Sequence, residues 1–431
     1  MSFSPSDQAQ FDNGSSYFAK IRSFSRNAKL FLLSHASTQI CLGVGSTILN
    51  VYFLKLGFSK YYIGTYMAMN TLAAAIAAIP IGVIADRVGR KKSVLWSIGL
   101  NLIATLAEVT FLNPAILLCV SFSKGIGSTF KAVVQNPFLM ENSKPEERIH
   151  LFSVNQALQT VASVGGSALA GVFPLLLAFF AQAMGWTDFL EVSQLRLALA
   201  FSTIFLALSA IPMAMVKEDN FQPSKRHNVF SDLTTIVNNQ NLRNLTIYRF
   251  MIGAGAGMTV SFFNVFLSDS LGASAGEISF ITMGSRVALT VAVLCSPWLV
   301  RMLGRINSVL VTQVLSIPAL LTISLAPNIL VVTVLYWVRT ALMNMSSPIS
   351  TSFAMEIVPG DMRATASSTM NMGDSLARSI SMILGGIMMD TWGNSSPYYF
   401  TCALYLGASV FYWWAFRKYD QPNQSIMPNN D

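Results

Sequence analysis

Twelve apolar stretches of about twenty residues recur along this chain, each long enough as a helix to cross the roughly 30 Å hydrocarbon layer of a bilayer. They fall near 30–54, 62–85, 93–112, 115–140, 152–181, 197–216, 245–267, 278–300, 308–326, 329–357, 364–389 and 398–416. Backbone in hydrocarbon must satisfy its own hydrogen bonds, so stretches of this length are expected as a bundle of transmembrane helices. Charged residues make up only 11% of the 431, far below the roughly 25% of an ordinary soluble domain. Hinges as short as Asn113-Pro114 and Pro327-Asn328 make the spans they join antiparallel neighbours. The expected fold class is an all-α integral membrane protein.

Lysine and arginine set the expected orientation. With the N-terminus inside, 20 of them fall on the cytoplasmic side, against Lys55, Lys60 and Arg196 on the other. This excess puts both termini in the cytoplasm, and the plasma (inner) membrane is the expected location. The net charge of +8 then reports topology, and no nucleic-acid partner follows from it. Residues 1–29 are polar and Ser-rich, unlike a signal peptide, and read as a flexible cytoplasmic tail. A six-helix half over 30–216, a polar linker over 217–243, a second half over 244–418 and a short tail over 419–431 complete the expected organisation. The linker carries Lys217, Pro223, Lys225 and Arg226, with a short amphipathic helix expected around Phe230, Leu233 and Ile236.

The two halves repeat at an offset of 215 residues. Gly89-Arg90 and Ser93-Val94-Leu95 return as Gly304-Arg305 and Ser308-Val309-Leu310. Leu56-Gly57 returns as Leu271-Gly272, Glu141 as Glu356, Arg148 as Arg363, and the cation Lys124 as Arg339. A repeat of this kind places a solute site at the interface of the halves, near the bilayer midplane.

Between spans 2 and 3 runs Gly82-Val83-Ile84-Ala85-Asp86-Arg87-Val88-Gly89-Arg90-Lys91-Lys92. At every specified position this resembles the loop motif of the major facilitator superfamily, and with the repeat and the span count the resemblance covers nearly the whole chain. It implies two pseudo-symmetric six-helix halves, a secondary transporter working by alternating access, and no enzymatic activity. It also implies that Asp86 contacts the other half near the start of span 11 when the protein is open outward. Gly82, Asp86, Arg87, Gly89, Arg90 and Lys91 are therefore expected as a gating motif. The second copy, Pro297 to Arg305, has Arg301 where Asp86 stands. The superfamily's antiporter and sugar-porter signatures are absent.

Five cations lie within spans: Lys124, Lys131, Arg286, Arg339 and Arg378. Each costs about 2.5–3.5 kcal/mol at a helix centre, so they are expected to face the bundle interior. Lys124, Ser128, Lys131 and Gln135 share one narrow stripe of span 4, and Arg339, Met343, Ser346 and Ser350 the matching stripe of span 10. Ser367, Asn371, Asp374 and Arg378 mark span 11, Gln156, Gln159 and Ser163 span 5, and His35, Gln39, Ser46 and Asn50 span 1. Spans 3, 6, 9 and 12 read as more uniformly apolar outer supports. The expected solute-binding residues are Lys124, Lys131, Gln135, Arg286, Arg339, Asn371, Asp374 and Arg378, with Asp374 and Arg378 also a natural i, i+4 ion pair.

A cationic cavity points to an organic anion as solute. Proton coupling, if present, falls to Asp374, His35 or Glu108. Two alternatives remain: proton-driven efflux of amphipathic, drug-like compounds, consistent with 21 Met and 29 Phe, and a non-transporting sensor or scaffold. No nucleotide-binding loop, metal spacing or nucleophile elbow occurs, so no cofactor or metal is expected. The expected partners are a small solute and the lipid bilayer, and the expected state is a monomer.

Overall fold

A computed structural model describes residues 23–144, 147–184, 191–217, 239–358 and 363–419. The described residues form twelve helical rods and no strand. These are α1 (Arg26–Lys55), α2 (Lys60–Val88), α3 (Arg90–Thr110), α4 (Pro114–Glu141), α5 (Arg148–Ala183) and α6 (Glu191–Leu208, continuing as Ala210–Ala214). The second half has α7 (Gln240–Thr259, continuing through a tight turn into Phe263–Leu271), α8 (Ala275–Leu303), α9 (Arg305–Leu325), α10 (Ile329–Ile357), α11 (Arg363–Trp392) and α12 (Ser396–Phe416). Among the described residues, nine of the twelve are long and apolar enough to cross a membrane on those grounds alone.

The helix starts follow local chemistry that the repeat duplicates. Lys60, Arg90 and Pro114 open α2, α3 and α4, and the residues 215 further on open α8, α9 and α10. Ser59 and Ser274 cap α2 and α8 through their hydroxyls, while Asn113 and Asn328 cap α4 and α10 through side-chain oxygens. Each oxygen accepts a backbone N–H that the first turn leaves unpaired. Gly89 and Gly304 turn the chain from one helix into the next at φ of 98° and 78°, a region costly for any residue with a Cβ.

Caps also decide where the halves begin. Ser25 accepts from the Ala28 amide and starts α1 at Arg26, inside the stretch expected as tail. Asn239 accepts from the Leu242 amide and starts α7 at Gln240, before the expected boundary at 244. The amphipathic helix expected near Phe230, Leu233 and Ile236 lies outside the described residues.

Twelve antiparallel rods put both chain ends on one face of the bundle, the terminal face. On the far face a single apolar core joins the halves, with Val44, Ile48 and Tyr66 packed into the same cluster as Phe262, Ile278 and Tyr398. On the terminal side the described apolar clusters stay separate. One holds Phe31, Val94 and Phe138 of the first half, another Leu245, Val309 and Phe353 of the second.

Polar contacts between the halves follow the same division. Lys60 Nζ lies 2.7 Å from Asp269, and Asp390 accepts from the Lys60 and Tyr61 amides at 3.2 and 2.8 Å. An α11 carboxylate thus sits on the N-terminus of α2, where the helix dipole favours negative charge. The described contacts close the far face and leave the space between the halves facing the terminal side.

Candidate functional site

That space is a cavity of about 690 Å³, ample for a small organic solute. From α1 it takes His35, Gln39, Ser46 and Asn50, and from α4 Lys124, Ser128, Lys131 and Gln135. These two polar stripes face the cavity as their spacing demanded. The second half contributes less, with Asn264 on α7, Thr282, Ser285 and Arg286 on α8, Tyr336 on α10 and Met382 on α11.

The third helix corrects the sequence reading. Ser97, Asn101, Thr105 and Glu108 of α3 all line the cavity, and so do Leu199, Ser202 and Leu206 of α6. Their i, i+4, i+8, i+11 spacing was visible in the sequence as one helical stripe. The run around it is otherwise apolar, which is the pattern expected of an outer support.

Glu108 is buried, and both its oxygens accept from Lys124 Nζ at 2.7 and 2.8 Å. The Tyr66 hydroxyl donates to the same carboxylate. Lys124 is therefore neutralised within the first half. Lys131 is different: it is buried in the wall and its ammonium has no hydrogen-bond partner among the described residues. Arg286 reaches across the interface to donate to the Ser46 hydroxyl at 3.1 Å, while its Nε has no partner among the described residues. Among the described lining residues, Glu108 is the only carboxylate against three cations, which leaves Lys131 and Arg286 uncompensated. His35 has both ring nitrogens in contact with amides, Asn155 at 3.1 Å and Gln39 at 3.1 Å.

Four expected site residues do not line this cavity: Arg339, Asn371, Asp374 and Arg378. Arg339 is buried within the second half and donates to the Tyr405 hydroxyl at 2.9 Å. Asp374 and Arg378 form the ion pair their spacing implied, at 3.2 Å and partly exposed. Their backbone is turned against α7, where Gly253 and Gly257 permit close approach. A Cβ on Gly253 would stand 2.6 Å from the Asp374 carbonyl oxygen, and one on Gly257 2.6 Å from that of Arg378. Asn371 is exposed. The α11 stripe is real, but Asp374 and Arg378 lie against α7, and α11 meets the cavity one turn further on, at Met382.

The sequence profile of the Major Facilitator Superfamily matches residues 31–246 and again 245–427. The chain belongs to this superfamily. It is a secondary transporter of small solutes, not an enzyme. No curated protein matches the sequence significantly. Solved structures show the same fold at low identity. The nucleoside transporter NupG superposes with a TM-score of 0.73 at 14% identity, over 91% of this chain and 99% of that one. A bacterial homolog of the human lysosomal transporter Spinster, inward-facing and unoccupied, gives 0.74 at 15% identity, over 92% and 98%. A D-xylose–proton symporter gives 0.66 at 16% identity, over 92% and 98%.

The superfamily's loop motif supplies a turn and an ion pair between α2, α3 and α4. Arg90 Nε lies 3.3 Å from Glu141 on α4, and the repeat-related Arg305 and Glu356 form the same pair in the second half. Lys91 Nζ donates to the Val216 carbonyl at the end of α6, at 2.7 Å. Gly89 supplies the left-handed turn, Arg87 is exposed, and Gly82 meets its nearest facing atom at an ordinary 3.9 Å. Asp86 occupies the last turn of α2. Its side chain, and those of Arg363–Thr365 at the start of α11, lie outside the described ones, and with them the expected gating contact.

Proposed function

We propose that this transporter carries a small organic anion, held in the central cavity by Lys131 from one half and Arg286 from the other. The supporting observation is a lining of three cations and one carboxylate in which the carboxylate is already committed to Lys124. A buried ammonium without a partner pays its desolvation in full, and an incoming carboxylate or phosphate offsets it. Gln135, Ser128 and Asn50 supply neutral hydrogen-bonding groups on the same walls. Glu108 is the cavity's acidic group among the described residues and our choice for any proton coupling. The termini face the cytoplasm in this reading, with the cavity open inward. The test is a thermal-shift screen of the purified protein with small organic anions, cations and neutral solutes. Stabilisation confined to anions supports the proposal, and stabilisation by cationic amphiphiles replaces it with drug efflux.

Asp86 is the proposed gate. The Gly-Arg half of the motif performs the same turn and ion pair in both repeats, whereas the aspartate occurs only in the first. A role confined to one copy fits a contact between halves better than a fold requirement. A carboxylate against a helix N-terminus contributes up to about 2 kcal/mol. Asp86→Asn is accordingly expected to slow transport roughly threefold to tenfold, with melting temperature and purified yield unchanged. Wild-type transport kinetics in that variant would remove Asp86 from the gate.

A further inference from the structure

The offset of 215 that relates the halves also relates two seams between them, α2 against α11 and α8 against α5. Each seam closes on one glycine. A Cβ on Gly386 of α11 would stand 2.8 Å from the Tyr61 Cα, and one on Gly171 of α5 would stand 3.2 Å from the Gly276 Cα. Gly171 and Gly386 are repeat mates, and so are Tyr61 and Gly276. The two seams therefore share one backbone crossing near the far face.

One turn further along, they differ. On α11 that turn brings Asp390, which accepts from the Lys60 and Tyr61 amides of α2 at 3.2 and 2.8 Å. The Lys60 ammonium in turn lies 2.7 Å from Asp269 on α7. On α5 the repeat mate of Asp390 is Leu175, whose side chain faces Gly276 instead. The start of α8 is served from within its own half: Ser274 and Glu277 exchange hydrogen bonds as a capping box. The α8–α5 seam is joined by a neutral, buried bond from the Ser279 hydroxyl to the Ser167 carbonyl. Thus α8 caps itself, whereas the first amides of α2 borrow a carboxylate from the other half.

We propose that Asp390, with the Lys60–Asp269 pair beside it, is a releasable latch that sets how readily the far face opens. Alternating access requires that face to open in turn, and these contacts exist only while it is closed. An exposed carboxylate on a helix N-terminus and a part-exposed ion pair are each weak, so water can replace them in every cycle. The inference rests on the seams alone and is independent of the solute and of which side the termini face.

Spin-label distances test it in the full chain, with the four native cysteines replaced by alanine. Leu112→Cys with Pro327→Cys reports the far face, and Lys92→Cys with Asn307→Cys the terminal face; each is a repeat-related pair with one residue per half. Asp390→Asn is expected to raise the ratio of far-open to far-closed molecules about threefold to tenfold. The far pair should gain a longer distance and the terminal pair a shorter one. Asp269→Asn, which releases Lys60, should act in the same direction. Glu277→Gln removes a capping charge at the repeat-related helix start, within one half, and should leave both distance distributions as in the parent. Unchanged distributions in Asp390→Asn would overturn the proposal. An equal shift in Glu277→Gln would also overturn it, by assigning the effect to fraying of helix starts.

Discussion

Lys131→Gln is expected to bind the transported anion ten- to a hundredfold more weakly than wild type, without loss of stability. A charged hydrogen bond contributes about 1.5–3 kcal/mol, and about 1.4 kcal/mol corresponds to a factor of ten. The stability half of the expectation comes from burial. Lys131 Nζ has no partner among the described residues, so glutamine removes an uncompensated charge while keeping much of the side chain's length. A lysine with a structural role would behave oppositely, lowering the melting temperature when replaced. Affinity for the anion found by screening, measured at two salt concentrations beside thermal melting, separates the roles. Unchanged affinity in Lys131→Gln would exclude the residue from the site. The same substitution at Arg286 should weaken binding while also loosening the interface, since its guanidinium holds Ser46 of the other half.

Glu108→Gln is the most damaging single change expected for stability, on the order of 3 kcal/mol. It leaves Lys124, itself largely buried, without the carboxylate that both its hydrogen bonds reach. The low end of the range for a broken buried pair applies because Lys124 also borders the cavity. Adding Lys124→Gln should recover most of the loss, since two neutral amides need no counter-charge. Denaturant or thermal melting of both single variants and the double variant closes the cycle. Equal damage in Glu108→Gln and the double variant would mean that charge pairing is not what the carboxylate contributes. The Asp374–Arg378 pair is a useful contrast. It has the same charges at helical spacing but is partly exposed, so its coupling should stay below about 1 kcal/mol.

The site was legible in proportion to how far it depended on single helices. The stripes of α1 and α4 predicted their cavity faces because a helix with one polar side has one way to bury it. The stripe of α3 obeys the same rule but is less legible, because four polar residues in an apolar run resemble ordinary helix packing. Glu108 stands out in the sequence as an acid within a span, but its pairing with Lys124, sixteen residues away on the neighbouring helix, depends on how α3 and α4 pack. Loop residues followed a similar pattern. The positions of Gly89 and Arg90 within the motif pointed to a turn and a cation, but not to Glu141 as the partner.

By itself, the sequence determined the membrane bundle, the helix starts and the two-fold repeat. Each rests on near-neighbour chemistry: apolar length, a capping oxygen two or three residues ahead of an amide, a glycine where φ turns positive. The tertiary structure decided which polar faces meet. Where along its length a polar stripe meets the cavity is set by the neighbours it packs against: Asp374 and Arg378 lie against Gly253 and Gly257 of α7, and α11 reaches the cavity at Met382. Arg339 shares its stripe register with Lys124 yet is buried away from the central cavity, because its guanidinium donates to Tyr405 within the second half, beside the stacked Phe263 and Tyr336 rings. The charge left in the central cavity is thus a property of the packed bundle: the sequence supplies five intramembrane cations, and packing leaves Lys131 and Arg286 there without an ion pair among the described residues.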